Sequence, residues 1–155
     1  MNTTELMQND WVQLGVMGEY CKVCSIVPGR IEGMTATGGK FSLPIDRFRG
    51  IELNRDTLLT TDFWVLKRNV YRKAVVGRAT FTYYETRRLL VVDSGEQGAV
   101  HNTHSIRHLH RLQQLFRLYA GLELFVTPLY HKAKEYGKAY YRDKKGKDES
   151  EMLMF

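Results

Sequence analysis

The sequence predicts an α+β chain that is mainly β: a small N-terminal β-barrel, then a small antiparallel sheet carrying one amphipathic helix. Three observations predict it. The first fifty residues hold four or five short runs suited to strands, cut by glycine-rich turns. Three further runs rich in β-branched and aromatic residues, NVYRKAVV, RATFTYYE and TRRLLVVD, follow one another across residues 69–93 and suit a meander. One long segment, ending where Gly121 stands, carries apolar residues at helical spacing.

The elements follow in order. In TELMQNDWVQLG, Thr3 or Thr4 caps a single helical turn, and Trp11, Val12 and Leu14 enter an extended run closed by Gly15 and Gly18. EYCKVCSIV alternates as a strand up to Pro28-Gly29. RIEGMTATGGKFSLP reads as two strands around Gly38-Gly39, which supplies the positive φ of a tight hairpin. IDRFRG is a short helical turn and IEL a brief strand. From Asn54 the pattern changes, with Asp56 or Thr57 as cap and Leu58, Leu59 and Phe63 at helical spacing. After the three meander strands and the loop DSGEQGAVHN, a helix is expected from Thr103 to Ala120, with Asn102 or Thr103 as N-cap and Gly121 at C′. LELFV has the composition of a closing strand stopped by Pro128. The expected organisation is a barrel over residues 1–55, a sheet-plus-helix unit over 56–127 and a basic tail over 128–155.

At 155 residues and 43% hydrophobic, the chain is long enough to bury a core without a cofactor, and none is expected. Two cysteines are too few for a disulfide scaffold. No leader-like start and no apolar run of membrane-spanning length occurs, so a cytoplasmic chain away from membranes is expected. The net charge of +6 is concentrated late: residues 128–147 carry +5, residues 148–155 carry −3, and the first 127 residues share +4.

The stretch HNTHSIRHLHRLQ, residues 101–113, raises the question of a metal site. On a helical wheel Ile106, Leu109, Leu112, Leu115, Phe116, Tyr119 and Ala120 fall in one half, and Arg107, His110, Arg111, Gln114 and Arg117 fill most of the other. The histidines scatter around such a helix. His104 and His108 have the spacing of a zinc-protease pair, but Ser105 stands where its glutamate belongs. A looser metal site combines Asp93 or Glu96 with His101, His104 and His108, carboxylate and imidazole being suitable donors for several divalent ions. Gln113 sits at the edge of the apolar half, and with His110 it is assigned a structural polar role.

Cys21 and Cys24 form a CxxC, yet an offset of three within a strand sends the two thiols to opposite faces. GMTATGGK misses a phosphate-binding loop by one residue and opens no helix. No nucleophile-elbow motif is present. Nucleic-acid chemistry is represented by Arg107, Arg111 and Arg117 on one helical face, by Arg87-Arg88 at a strand start, and by Lys67-Arg68 and Arg72-Lys73 flanking Tyr71. In the tail, Lys132, Lys134 and Lys138 interleave with Tyr136, Tyr140 and Tyr141; such sets attract phosphate and stack bases.

ELMQNDWV, EYCKVCSI, IELNRDTLLTTDFW and HRLQQLFRLYAGLEL together resemble a family of small proteins of gut Bacteroidetes and their phages and mobile elements. Its pattern opens E-L-x-x-G-D-W-V, continues through L-T-x-x-x-L-x-x-x-G-F and ends V-H-x-L-Q-x-L followed by G-x-x-L. Leu109, His110, Leu112, Gln113, Leu115 and Leu122 match the last motif; Asn9 and Asp62 replace two of its glycines. The resemblance spans about residues 4–126 and implies an SH3-like barrel joined to a small α+β unit, with no activity assigned. The expected function is that of a non-enzymatic binding or adaptor protein, of phage or mobile-element origin, with an unidentified protein partner. The alternatives are a nucleic-acid-binding accessory protein and a metal-dependent hydrolase built on His101, His104 and Asp93.

Overall fold

The structure is a computed structural model that describes residues 5–15, 18–95 and 99–127. The described chain is mostly β, with two five-stranded antiparallel sheets and one long helix. It divides into two compact units, one running up to Arg49 and the other from Gly50 to Val126.

In the first unit, strands β1 (Trp11–Leu14), β2 (Tyr20–Val27), β3 (Arg30–Thr35), β4 (Lys40–Pro44) and β5 (Phe48–Arg49) pair in the order β4-β3-β2-β1-β5. The sheet curls into a half-barrel, with a 3-10 turn at Ile45–Arg47 leading into β5. Alternation along β2 and β3 turns Val12, Cys21, Val23, Ile31 and Phe48 into one core, and Phe41 and Phe48 meet there with ring centroids 5.2 Å apart. A bulge between Val23 and Ser25 breaks the alternation, leaving Cys24 and Ser25 both exposed. Before β1, the buried Asp10 carboxylate accepts from the Met7 amide at 2.8 Å, while Asn9 takes φ 75°. The 35–39 hairpin turns as expected, with Gly38 at φ 95° and its amide donating to the Thr35 carbonyl.

The second unit opens with Ile51–Leu53, tied to residues 107–109 by two backbone hydrogen bonds and an isolated bridge between Glu52 and His108. Helix α1 (Arg55–Leu59) is capped by Asn54, whose side chain accepts from the Thr57 amide at 2.9 Å, rather than by Asp56 or Thr57. Asp62 then takes φ 63°. Strands β6 (Trp64–Lys67), β7 (Val70–Val75), β8 (Ala79–Tyr84), β9 (Leu89–Ser94) and β10 (Val100–Ser105) form a meander in chain order. Helix α2 (Leu109–Ala120) follows, ending on Gly121 in the left-handed conformation with φ 69°.

Two expectations are corrected in this unit. The helix starts at Leu109 and not at Thr103, because residues 100–105 pair rung by rung with β9 from Val100↔Ser94 to Ser105↔Leu89. LELFV forms no strand; Leu124 and Val126 are buried and Phe125 is exposed, but no ladder partner takes them up.

The register places Tyr71, Tyr83, Leu90 and His104 in one cross-strand row and Phe81, Val92 and Asn102 in the next, all on the face that carries α2. Phe81 meets Phe116 of the helix at 4.9 Å between ring centroids. The fully buried Tyr83 keeps its hydroxyl satisfied by donating to the Ile106 carbonyl at 2.9 Å, and burial pushes its pKa up to about 12. No helix among the described residues is long and apolar enough to cross a membrane.

Candidate functional site

The histidine-rich stretch does not lie on one helix. His101 and His104 belong to β10, His108 is the extended residue that precedes α2, and His110 sits in the first turn of the helix. An offset of three along a strand sends His101 and His104 to opposite faces, which corrects the hydrolase grouping. His101 pairs with Asp93, its direct cross-strand neighbour, on the face away from α2. His104 turns toward the helix and meets the Tyr119 hydroxyl at 2.8 Å. His108 lies 3.9 Å from the Glu52 carboxylate and its ring covers Gly50, where an added Cβ would come within 2.5 Å of it. Among the described residues no group of three or more His, Cys, Asp or Glu side chains converges as a metal site.

The wheel also misplaces His110. It belongs to the buried side of α2, at 2% exposure, stacked on His108 with centroids 5.7 Å apart. Its Nδ1 is the one buried side-chain polar atom without a hydrogen-bond partner among the described residues. Burial, followed by the neighbouring His108 and Arg111, lowers its pKa from 6.5 to about 4, so the ring is neutral. Gln113, 1% exposed, is buried as its wheel position suggests and is not left unsatisfied.

The arginines expected to face nucleic acid are occupied or scattered. Arg107 precedes the helix and pairs with Glu52 at 2.8 Å, Arg117 pairs with Glu123 at 2.8 Å, and Arg111 donates to Gln114. Arg88 takes φ 51° in the β8–β9 turn instead of starting a strand. Lys132, Lys134, Lys138 and Tyr140 lie outside the described residues. The CxxC separates as strand geometry requires: Cys21 is fully buried with its thiol pushed up to about 11 by burial, and Cys24 is exposed.

What sequence reasoning missed is β6. Among the described residues it is the outer strand of the second sheet, paired on one side only, to β7. All four of its residues are exposed, and three of them are large and apolar: Trp64 at 46%, Val65 at 40% and Leu66 at 43%. The register sets Trp64 beside Arg72 on the face away from α2 and Val65 beside Tyr71 on the other, while Leu66 is the extra residue of a bulge. Lys67 and Arg68 follow immediately, and neither meets a carboxylate among the described residues. An open strand edge offers unpaired backbone donors and acceptors, and here apolar side chains stand on both of its faces. The opposite outer strand, β10, is polar by contrast, reading VHNTHS.

No protein-family model, curated protein or solved structure matches the chain.

Proposed function

We propose that this protein is a non-enzymatic binding module that recruits a protein partner at the outer edge of its second sheet. The reading is carried by β6, where Trp64, Val65 and Leu66 are exposed in succession along a strand whose outer edge has no partner among the described residues. Leaving that much apolar surface in water forgoes about 25 cal/mol for every Å² that a partner would cover, and backbone pairing along the edge would add register to such a contact. The first unit is read as an SH3-like barrel; its five short antiparallel strands, with β5 returning to β1, support that assignment. A nucleic-acid role draws less support, since Arg107 and Arg117 are already held by carboxylates.

The test compares proteins captured from the native host by the wild-type chain, by Val65→Lys and by the distant surface variant Leu118→Ser, Leu118 being 71% exposed on α2. A partner retained by Leu118→Ser and lost by Val65→Lys is the expected result. A partner profile that the two variants leave equally intact refutes the edge as the docking site.

A further inference from the structure

We propose that the partner taken up at β6 is a second copy of this chain, the two β6 strands pairing antiparallel about a two-fold axis that passes through Val65. The proposal rests on reading β6 as the docking edge and commits its occupant. It is carried by the self-complementary order of residues 62–68: an acid at one end, an apolar middle and cations at the other end.

Those seven residues read DFWVLKR. Asp62 and Arg68 are exposed, and neither has an ion-pair partner among the described residues. Between them Trp64, Val65 and Leu66 stand open along the outer strand, and Leu66, the extra residue of the bulge, has no cross-strand neighbour in β7.

Laid against itself in reverse, this order matches both charge and apolarity. In an antiparallel register centred on Val65, Asp62 faces Arg68 of the second copy at both ends, Trp64 faces Leu66 twice, and Val65 meets Val65 on the axis. The cations stay apart: Lys67 comes beside Phe63 of the second copy, four residues or about 13 Å along the strand from the other Lys67. That exceeds the screening length of about 10 Å at 0.1 M salt.

The other ways of joining two copies at this edge fit less well. A parallel pair would set Asp62 on Asp62, Lys67 on Lys67 and Arg68 on Arg68, like charge directly opposite like charge. Pairing β6 with β10 of a second copy would lay Trp64, Val65 and Leu66 against VHNTHS, in which only Val100 is apolar. The antiparallel two-fold pair also closes. Two five-stranded sheets become one of ten strands with β10 at both rims, and no β6 edge is left open. Seven residues a side is well short of the roughly 20 to 30 of a standard interface, so the dimer is reversible, with a dissociation constant on the order of tens of micromolar.

Sedimentation equilibrium of the full-length chain between about 2 and 400 µM, a range that brackets this constant, tests the proposal with no other partner present. The mass is expected to climb from one chain toward two for the wild type and for Leu118→Ser, and to stay at one chain for Val65→Lys with its melting temperature unchanged. Asp62→Lys and Arg68→Glu are each expected to weaken pairing by about tenfold, because each homodimer then holds like charges at both ends. An equimolar mixture of those two variants is expected to pair as tightly as the wild type, since the mixed dimer holds opposite charges at both ends. In a Cys24→Ser background, Val65→Cys is expected to give a covalent dimer under mild oxidation, because directly opposed residues stand about 4.5 to 5.5 Å apart between Cα atoms, and Leu118→Cys is not. A single-chain mass throughout the range overturns the second copy, whereas the partner-capture comparison still judges the edge by itself. A dimer that Val65→Lys leaves intact overturns β6 as its interface, and a mixture as weak as its separate components overturns the antiparallel register.

Discussion

Acidification should weaken this fold through one residue, His110. In the folded chain its imidazole is 2% exposed, with Nδ1 unpartnered and with His108 and Arg111 as cationic or potentially cationic neighbours. Its pKa drops from 6.5 to about 4, burial being the largest cause. The unfolded chain accepts the proton near pH 6.5 and the folded chain only near pH 4, so between those values the unfolded state binds more protons. Stability is then complete above pH 6.5, declines as pH falls through the window and levels off below pH 4. At 1.36 kcal/mol per pKa unit the whole effect is about 3 kcal/mol, and the part lying between pH 7 and pH 5 is about 2 kcal/mol. Urea unfolding of the wild type and His110→Leu at both pH values isolates it, because carboxylates that titrate in both proteins cancel in the difference. His110→Leu keeps a similar volume and removes an unsatisfied buried group, so at pH 7 it should lie within about 1 kcal/mol of the wild type. It should also lose about 2 kcal/mol less than the wild type on going to pH 5. Equal pH losses in the two proteins would refute the reasoning.

Two further predictions concern the backbone. At Gly33 in β3 an added Cβ would stand 2.0 Å from the Lys22 carbonyl oxygen and 2.9 Å from Phe41, so Gly33→Ala must displace backbone and should cost about 2 kcal/mol or more by denaturant titration, with a neutral result counting against the tight β2–β3 approach. Asp62 occupies the left-handed region at φ 63°, so Asp62→Val should lose on the order of 1 to 2 kcal/mol in thermal melts while Asp62→Gly should match or exceed the wild type; the reverse ranking would contradict the assigned conformation.

Much of the architecture is legible where one residue type serves one local need. Gly38 and Gly121 mark a hairpin and a helix end because both positions need positive φ, and both have it. Asn9 and Asp62 adopt positive φ as well, without being glycine. The burial of Cys21 and exposure of Cys24 follow from strand period, which holds up to the bulge at Val23/Ser25. Legibility fails where a neighbour decides. Residues 100–105 read as a helix start because Asn102 and Thr103 make good caps, and as an outer strand they bury too little to show an alternating apolar face. His110 falls on the polar half of the wheel by residue type, whereas packing takes it inside. LELFV has strand composition without a partner strand. The exposed β6 rim is illegible for a related reason: WVLK reads the same whether its strand is central or outermost, and strand order is not a local property.

The contrast between the two rims of the second sheet bears on how far association can proceed. A sheet adhesive at both rims propagates, since every added molecule presents a fresh surface to the next. Here the β6 rim exposes Trp64, Val65 and Leu66 in succession, while the β10 rim beyond Val100 carries imidazole, amide and hydroxyl groups. The rim that could add a strand is therefore β6, and β10 offers no comparable apolar run to carry the sheet further.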